Sequence, residues 1–301
     1  MSLSQELKKK FDKSISNDVN LSNYSWFNLG GPAEYLFKPD NKNQLIEFLK
    51  ENKKSNLNIT ILGAGSNTLI RDNGIKGVVI KLGAKFSNIQ MIDENTINVG
   101  AATLDRKVSD FAKENGIGNL EFLSCIPGSI GGAIIMNSGC YKNDISKVLT
   151  SINAIDIKEC QEKEIKREDI KFFYRGSNLD ENLIITSVKL KGIKKSKELI
   201  EKLQKDLINK KKLSQPSQIK TCGSTFKNFS NEKKAWKLIK IAGCHKFKVG
   251  DAFISEKHCN FFVNNGKAKS ADIEKLINQV QQTVRKKLGV NLELEIKIIG
   301  E

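Results

Sequence analysis

Gly63-Ala64-Gly65-Ser66-Asn67 and Ile126-Pro127-Gly128-Ser129-Ile130-Gly131-Gly132-Ala133 are the two stretches whose reading decides the fold of this chain. Glycine has no Cβ, so it accepts positive φ and lets backbone N–H groups close on an anion, as a phosphate-cradling nest or a helix N-terminus requires. The first stretch follows the apolar, β-branched run 59–62, and a glycine turn after a strand is the usual setting of such a nest. Tight turning alone would explain one Gly-x-Gly. Two separate clusters favour a cradle for the diphosphate of a dinucleotide. Neither cluster is a common fingerprint: a Rossmann pattern needs a third glycine where Thr68 stands, and no Gly-x-x-x-x-Gly-Lys-Ser/Thr occurs.

Outward from these turns, strand-like and helix-like segments alternate over the first two-thirds of the chain. Periodicity predicts a helix near 44–49, strands over 59–62 and 78–82, and a helix near 104–115. Further β-rich runs follow at 151–157 and 183–190, then a lysine-rich helix ending at Gln215-Pro216, which is the expected domain boundary. The last part opens with Cys222-Gly223-Ser224-Thr225-Phe226-Lys227-Asn228 and continues in a helix carrying Ile273, Leu276, Ile277, Val280, Val284 and Leu288. A closing strand over 290–298 is expected, with Val290, Leu292, Leu294, Ile296 and Ile298 on one face and Glu293, Glu295 and Lys297 on the other. The fold class is α+β.

Composition narrows the chemistry. A chain of 301 residues, 39% hydrophobic and 28% charged, supports two or three compact domains. No apolar run approaches the ~20 residues of a membrane span, and residues 1–13 lack a signal-peptide core, so a cytoplasmic protein with no membrane partner is expected. The six cysteines show no Cys-x-x-Cys spacing and read as reduced thiols, and two histidines are too few for a His-rich metal site; no metal is expected. The net charge of +16 is mostly lysine and is spread along the chain. It is densest over 191–212, where Leu199, Ile200, Leu203, Leu207 and Ile208 recur at helical spacing, as on a solvated helix face. Aromatic-basic interleaving is missing, so no nucleic acid partner is expected; the field suits small polyanions such as nucleotides.

An ordered set of motifs runs through the chain: Trp26-Phe27-Asn28-Leu29-Gly30-Gly31-Pro32-Ala33-Glu34, the two glycine stretches, Phe173-Tyr174-Arg175-Gly176-Ser177, the 222–228 turn, Lys257-His258-Cys259-Asn260-Phe261 and Leu292-Glu293-Leu294-Glu295. From about Ser25 to the C-terminus this set resembles the UDP-N-acetylenolpyruvoylglucosamine reductases, flavoenzymes of peptidoglycan precursor synthesis. The short interval between Arg175 and Ser224 is similar to the family's second type, which lacks an extra substrate-closing loop. The segment Cys244-His245-Lys246-Phe247 and Asp251 depart from a glycine-containing turn typical of relatives.

The resemblance implies an FAD-binding region of the vanillyl-alcohol oxidase type over 1–192, in two α+β subdomains of about 1–82 and 83–192, and a smaller α+β substrate-binding domain over 193–301. Gly63, Ala64, Gly65, Ser66, Asn67, Pro127, Gly128, Ser129, Gly131, Gly132 and Ala133 would then hold FAD, with NADPH as co-substrate and no separate site for it. The implied reaction reduces the enolpyruvyl double bond of UDP-N-acetylglucosamine enolpyruvate. Hydride addition drives charge onto the conjugated carboxylate, which calls for preorganised donors and positive charge there. By motif position Arg175 would clamp that carboxylate, as a permanently charged fork of donors suits. Glu295 would hydrogen-bond the enediolate through a carboxyl kept protonated, and Ser224 would protonate the adjacent carbon. Tyr174, Lys227, Asn228, His258 and Asn260 are implied contacts of the UDP-sugar. A monomer is expected. Another FAD-dependent oxidoreductase on the same scaffold is the alternative, since a fold does not determine its function.

Overall fold

The structure, a computed structural model, describes residues 5–230 and 232–301. The chain divides into two compact units, one comprising the start of the chain with Leu36–Ala64 and Gly77–Lys211, the other Asn17–Tyr35, Gly65–Lys76 and Lys212–Glu301.

In the first unit an antiparallel sheet runs in the order Gln161–Lys166, Leu149–Asp156, Leu183–Lys191, Thr96–Gly100, Ile89–Met91. Its register aligns Ile152 with Val188 and Val188 with Val99, three fully buried β-branched side chains in one row. Such cross-strand neighbours pack well on a pleated surface. The short helix Ile130–Ile135, which begins inside the second glycine stretch, lies against the two central strands and buries Ile130, Ala133 and Ile134. Strand Ile59–Ile61 pairs in parallel with Ile75–Ile80 and leads straight into the first glycine turn.

Helix Lys42–Ser55 starts where the Asn41 side chain accepts the Gln44 N–H and stops where Asn56 turns left-handed at φ 49°. Its Phe48 stacks on Phe37 at 4.1 Å, with Phe11 edge-on to both. The lysine-rich helix, Lys197–Ser214, which the sequence reading includes in the domain over 193–301, packs on this first unit: Ile200 is buried, and the buried Gln204 amide donates to the Ser109 carbonyl and hydroxyl at 3.0 and 2.7 Å. Periodicity shows that a helix has an apolar stripe, not which unit the stripe meets.

The second unit wraps helix Ser270–Leu288 with a three-stranded antiparallel sheet, Lys248–Val249, Ala252–Ile254 and Phe262–Asn264. Ile273, Leu276, Ile277, Val280 and Val284 form the buried stripe of that helix, as their spacing predicts. Lys269 at the N-cap is a poor acceptor, so the Asp72 carboxylate supplies the cap from about 200 residues upstream, accepting the Ser270 and Ala271 N–H groups at 2.9 and 3.0 Å. The expected closing strand is shorter than its alternation suggests: only Lys297–Ile299 is regular, in parallel with Thr68–Ile70. Residues 290–296 keep the pattern, with Val290, Leu292 and Ile296 buried, but their backbone bonds go singly to a neighbouring turn and a helix side chain rather than to a ladder.

Candidate active site

The first glycine turn is an open row of donors. Among the described residues no acceptor takes the N–H groups of residues 63–67, five in succession. Successive N–H groups left open along a glycine turn form an anion-binding concavity, which makes this row a candidate seat for a phosphate. Gly65 makes the turn possible: at φ +68° its missing Cβ would lie 1.8 Å from the Tyr24 carbonyl oxygen. Its own carbonyl accepts from Trp26 N–H at 3.0 Å, which gives the Trp26 motif a structural duty. On the strand side, Lys81 Nζ donates to the Gly63 carbonyl at 2.5 Å, and burial beside Lys38 holds its pKa below the usual lysine range.

The second stretch meets the first, since a Cβ on Gly63 would stand 3.3 Å from Ser129 Oγ. Here several amides are already committed: Ile130 N–H to Thr103 O and Gly131 N–H to Ala101 O, both at 2.9 Å, while Asp105 N–H reaches back to Gly128 O at 3.1 Å. Behind this clamp the Thr103 hydroxyl and both Asp105 carboxyl oxygens are buried with no partner among the described residues. Burial pushes the Asp105 pKa well above the ordinary carboxylate value. Free amides and the Lys81 side chain compose a set that fits the pyrophosphate of FAD, and burial disfavours the charged form of the Asp105 carboxyl.

Tyr174 and Arg175 form the two-residue tip of a hairpin whose register pairs Phe172 with Ser177 and Phe173 with Gly176. Arg175 sits at φ +59°, a left-handed conformation unusual for a non-glycine residue, with its guanidinium 5.1 Å over the Tyr174 ring. Asn137 anchors the hairpin by donating to the Phe173 carbonyl at 3.1 Å.

In the second unit the serine turn is locked from two directions. The buried Asn260 amide grips Phe226 reciprocally, Oδ1 accepting from its N–H at 3.0 Å and Nδ2 donating to its carbonyl at 2.8 Å. Glu295 N–H donates to Thr225 O at 2.8 Å, and Asn67 Nδ2 donates to Glu295 O at 2.9 Å. The structure thus brings Asn67, the Ser224 turn and Glu295 together from three distant stretches. Gly223 carries the turn at φ +79°, and Ser224 and Glu295 are half-buried. Lys227 is 3.6 Å from the exposed Glu293, and Asn228 accepts the Ala235 N–H at 3.1 Å. His258 packs its ring 4.8 Å from Phe261, its Nδ1 accepts from Asn260 N–H, and burial lowers its pKa.

Comparison with known proteins places the fold in a family. Residues 33–159 match the model of the FAD binding domain, and residues 215–299 that of the UDP-N-acetylenolpyruvoylglucosamine reductase C-terminal domain. The UDP-N-acetylenolpyruvoylglucosamine reductase of Pelagibacter ubique is 49% identical over 97% of this chain and 98% of its own. The chain belongs to the UDP-N-acetylenolpyruvoylglucosamine reductase family. A relative from Rickettsia canadensis is 43% identical over 94% of this chain and 95% of its own. The crystal structure of the reductase from Thermus caldophilus superimposes with a TM-score of 0.80 at 31% identity, covering 95% of this chain and 98% of that one.

The reductase family is one of FAD-dependent oxidoreductases, and the α+β fold with its FAD binding domain is the one the resemblance implies. Sequence reasoning passed over Asp105, Thr103 and Lys81. An aspartate opening a helix reads as an ordinary first-turn acid, and one more lysine carries no signal in so lysine-rich a chain. Among the described residues no group of three or more His, Cys, Asp or Glu side chains could hold a metal ion, and no helix is long and apolar enough to cross a membrane.

Proposed function

We propose that this chain reduces UDP-N-acetylglucosamine enolpyruvate to UDP-N-acetylmuramate with NADPH as electron source. Residues 1–192 serve FAD binding and 193–301 the sugar nucleotide, NADPH and substrate using one site in turn. The protein acts in the cytoplasm as a monomer. One observation carries the reading: Glu295 N–H bonds Thr225 O, so the serine turn and the closing acid, 70 positions apart, form one local structure.

Gly63, Ala64, Gly65, Ser66 and Asn67 hold the FAD pyrophosphate through backbone N–H groups, Pro127, Gly128, Ser129, Gly131, Gly132 and Ala133 line the cradle, and Lys81 adds charge. FAD, when bound, supplies the hydride. Arg175 fixes the substrate carboxylate with its fork of N–H groups and offsets the charge that builds there. Its left-handed backbone is a strained state of the sort kept where a side chain must be aimed. Glu295 hydrogen-bonds the enediolate, and Ser224 gives its proton to the neighbouring carbon. A serine hydroxyl is a weak acid, so this step relies on a strongly basic dianionic enediolate. Tyr174, Lys227, Asn228, His258 and Asn260 contact the UDP-sugar, and Asn260, whose amide bonds both backbone polar atoms of Phe226, also sets the attitude of the turn that presents Ser224.

The test is a two-step flavin assay. The protein as purified should be yellow, bleach with NADPH, and recolour on addition of UDP-N-acetylglucosamine enolpyruvate. Bleaching that persists after that addition would leave an FAD oxidoreductase with another substrate, and a colourless protein that cannot be reconstituted with FAD would overturn both readings.

A further inference from the structure

We propose that Cys125 and Cys140 are a hydroperoxide-reactive dithiol, a modification site that closes to a disulfide around the second glycine stretch. Cys125 ends the tight turn Glu121–Cys125, and Cys140 lies in the hairpin Gly139–Cys140 with Asn143–Asp144. The Cys140 thiol donates to the Phe122 carbonyl at 3.5 Å. A 3₁₀ turn aims the carbonyl of one residue at the N–H of the residue three later, so a thiol bonded to the Phe122 carbonyl lies beside Cys125, and the Lys211 charge acts on both thiols.

The surroundings assign the roles. Lys211, on the helix Lys197–Ser214, donates to the Cys125 carbonyl at 2.6 Å, and Ser124 Oγ lies 3.7 Å from Cys125 Sγ. The Arg175 guanidinium also acts on Cys140. The Cys140 hydrogen bond and the Lys211 charge hold Cys125 below the ordinary thiol value, while the same pairing pushes Cys140 up. Burial instead raises Cys222, to about 11, and also raises Cys244 and Cys259. The thiolate is the nucleophile, so Cys125 attacks and Cys140 resolves.

In the first step Cys125 sulfur attacks the terminal oxygen of a hydroperoxide; the O–O bond breaks, leaving a sulfenic acid and releasing hydroxide or alkoxide. In the second, Cys140 sulfur displaces that oxygen as water, forming the S–S bond. The dithiol loses two electrons and the peroxide gains them. The new bond closes a ring containing residues 126–139 and hence the whole glycine cluster.

The FAD-loaded protein is treated with hydrogen peroxide at neutral pH, and its cysteines are mapped by mass spectrometry. The expected product has lost two hydrogens and carries a Cys125–Cys140 link. Cys140→Ser should stop at a dimedone-trapped sulfenic acid on Cys125, and Cys125→Ser should yield neither product. Without peroxide, iodoacetamide should label Cys125 at least about tenfold faster than Cys222, with a pH midpoint below the usual thiol range, set by Cys140, Lys211 and Arg175. Oxidation that falls first on another cysteine, or a Cys140→Ser protein inert to dimedone at Cys125, overturns the proposal.

Discussion

The glycine turn at 63–67 and the serine turn at 222–228 do opposite things with their backbones. The first leaves five successive N–H groups without an acceptor among the described residues. The second is closed on itself, with Phe226 gripped at both polar atoms by Asn260 and Thr225 tied to both Asn260 and Glu295. An open turn binds with main chain, and what it demands of sequence is the absence of side chains. A closed turn spends its main chain on rigidity and works through one presented side chain. The two should therefore fail differently under mutation.

The largest effect is expected at the closed turn. Ser224→Ala should slow sugar reduction by ~10²–10⁴-fold, the usual worth of a positioned proton donor, while bleaching by NADPH continues almost unchanged. Stopped-flow spectra separate the two half-reactions, and unchanged turnover would remove Ser224 from the chemistry. Next comes the open turn. Gly65→Ala puts a Cβ 1.8 Å from the Tyr24 carbonyl at a left-handed φ, which should cost about 2–3 kcal/mol in urea unfolding and weaken FAD binding at least about tenfold. Tight FAD retention in that variant would show that the turn is not the cradle.

Asn260→Ala sharpens the contrast from the other side. It orphans the Phe226 N–H and carbonyl and should cost about 2 kcal/mol of stability, lowering kcat with little change in FAD affinity. Loss of FAD instead would mean the two turns do not divide their labour. A graded, pH-dependent effect on stability is expected at Asp105. Its folded pKa is raised, so above an ordinary aspartate value of ~3.9 the unfolded chain ionises while the native protein keeps its proton, and stability falls as pH rises towards the folded pKa. Asp105→Asn lacks this slope. It should gain on the parent protein with rising pH, by at most about 1.4 kcal/mol per unit. Denaturant titrations at pH 5 and 8 that run parallel for the two proteins would contradict a neutral Asp105.

Local pattern made much of the fold readable in advance. The helices Lys42–Ser55, Asp105–Glu114 and Ser270–Leu288 and the strands Leu149–Asp156 and Leu183–Lys191 stand where periodicity predicts them, because a stripe or alternation of apolar side chains is written in consecutive residues. The irregular course of 290–296 was not readable, since alternation records burial and not the partner of each N–H.

Of the candidate site, the open turn announces itself in the chain: glycines are required wherever backbone must approach backbone or anion, and their spacing is a local property. Ser224 and Glu295 stand out only through family resemblance, because nothing about a serine or a glutamate tells which distant carbonyl its neighbours will bond. Asp105, Lys81 and the Cys125–Cys140 pair were decided by folding alone. A carboxyl becomes harder to ionise, a lysine comes to bond the glycine turn and a thiol becomes more acidic through desolvation and neighbouring groups, and those depend on which residues far apart in the chain are packed together.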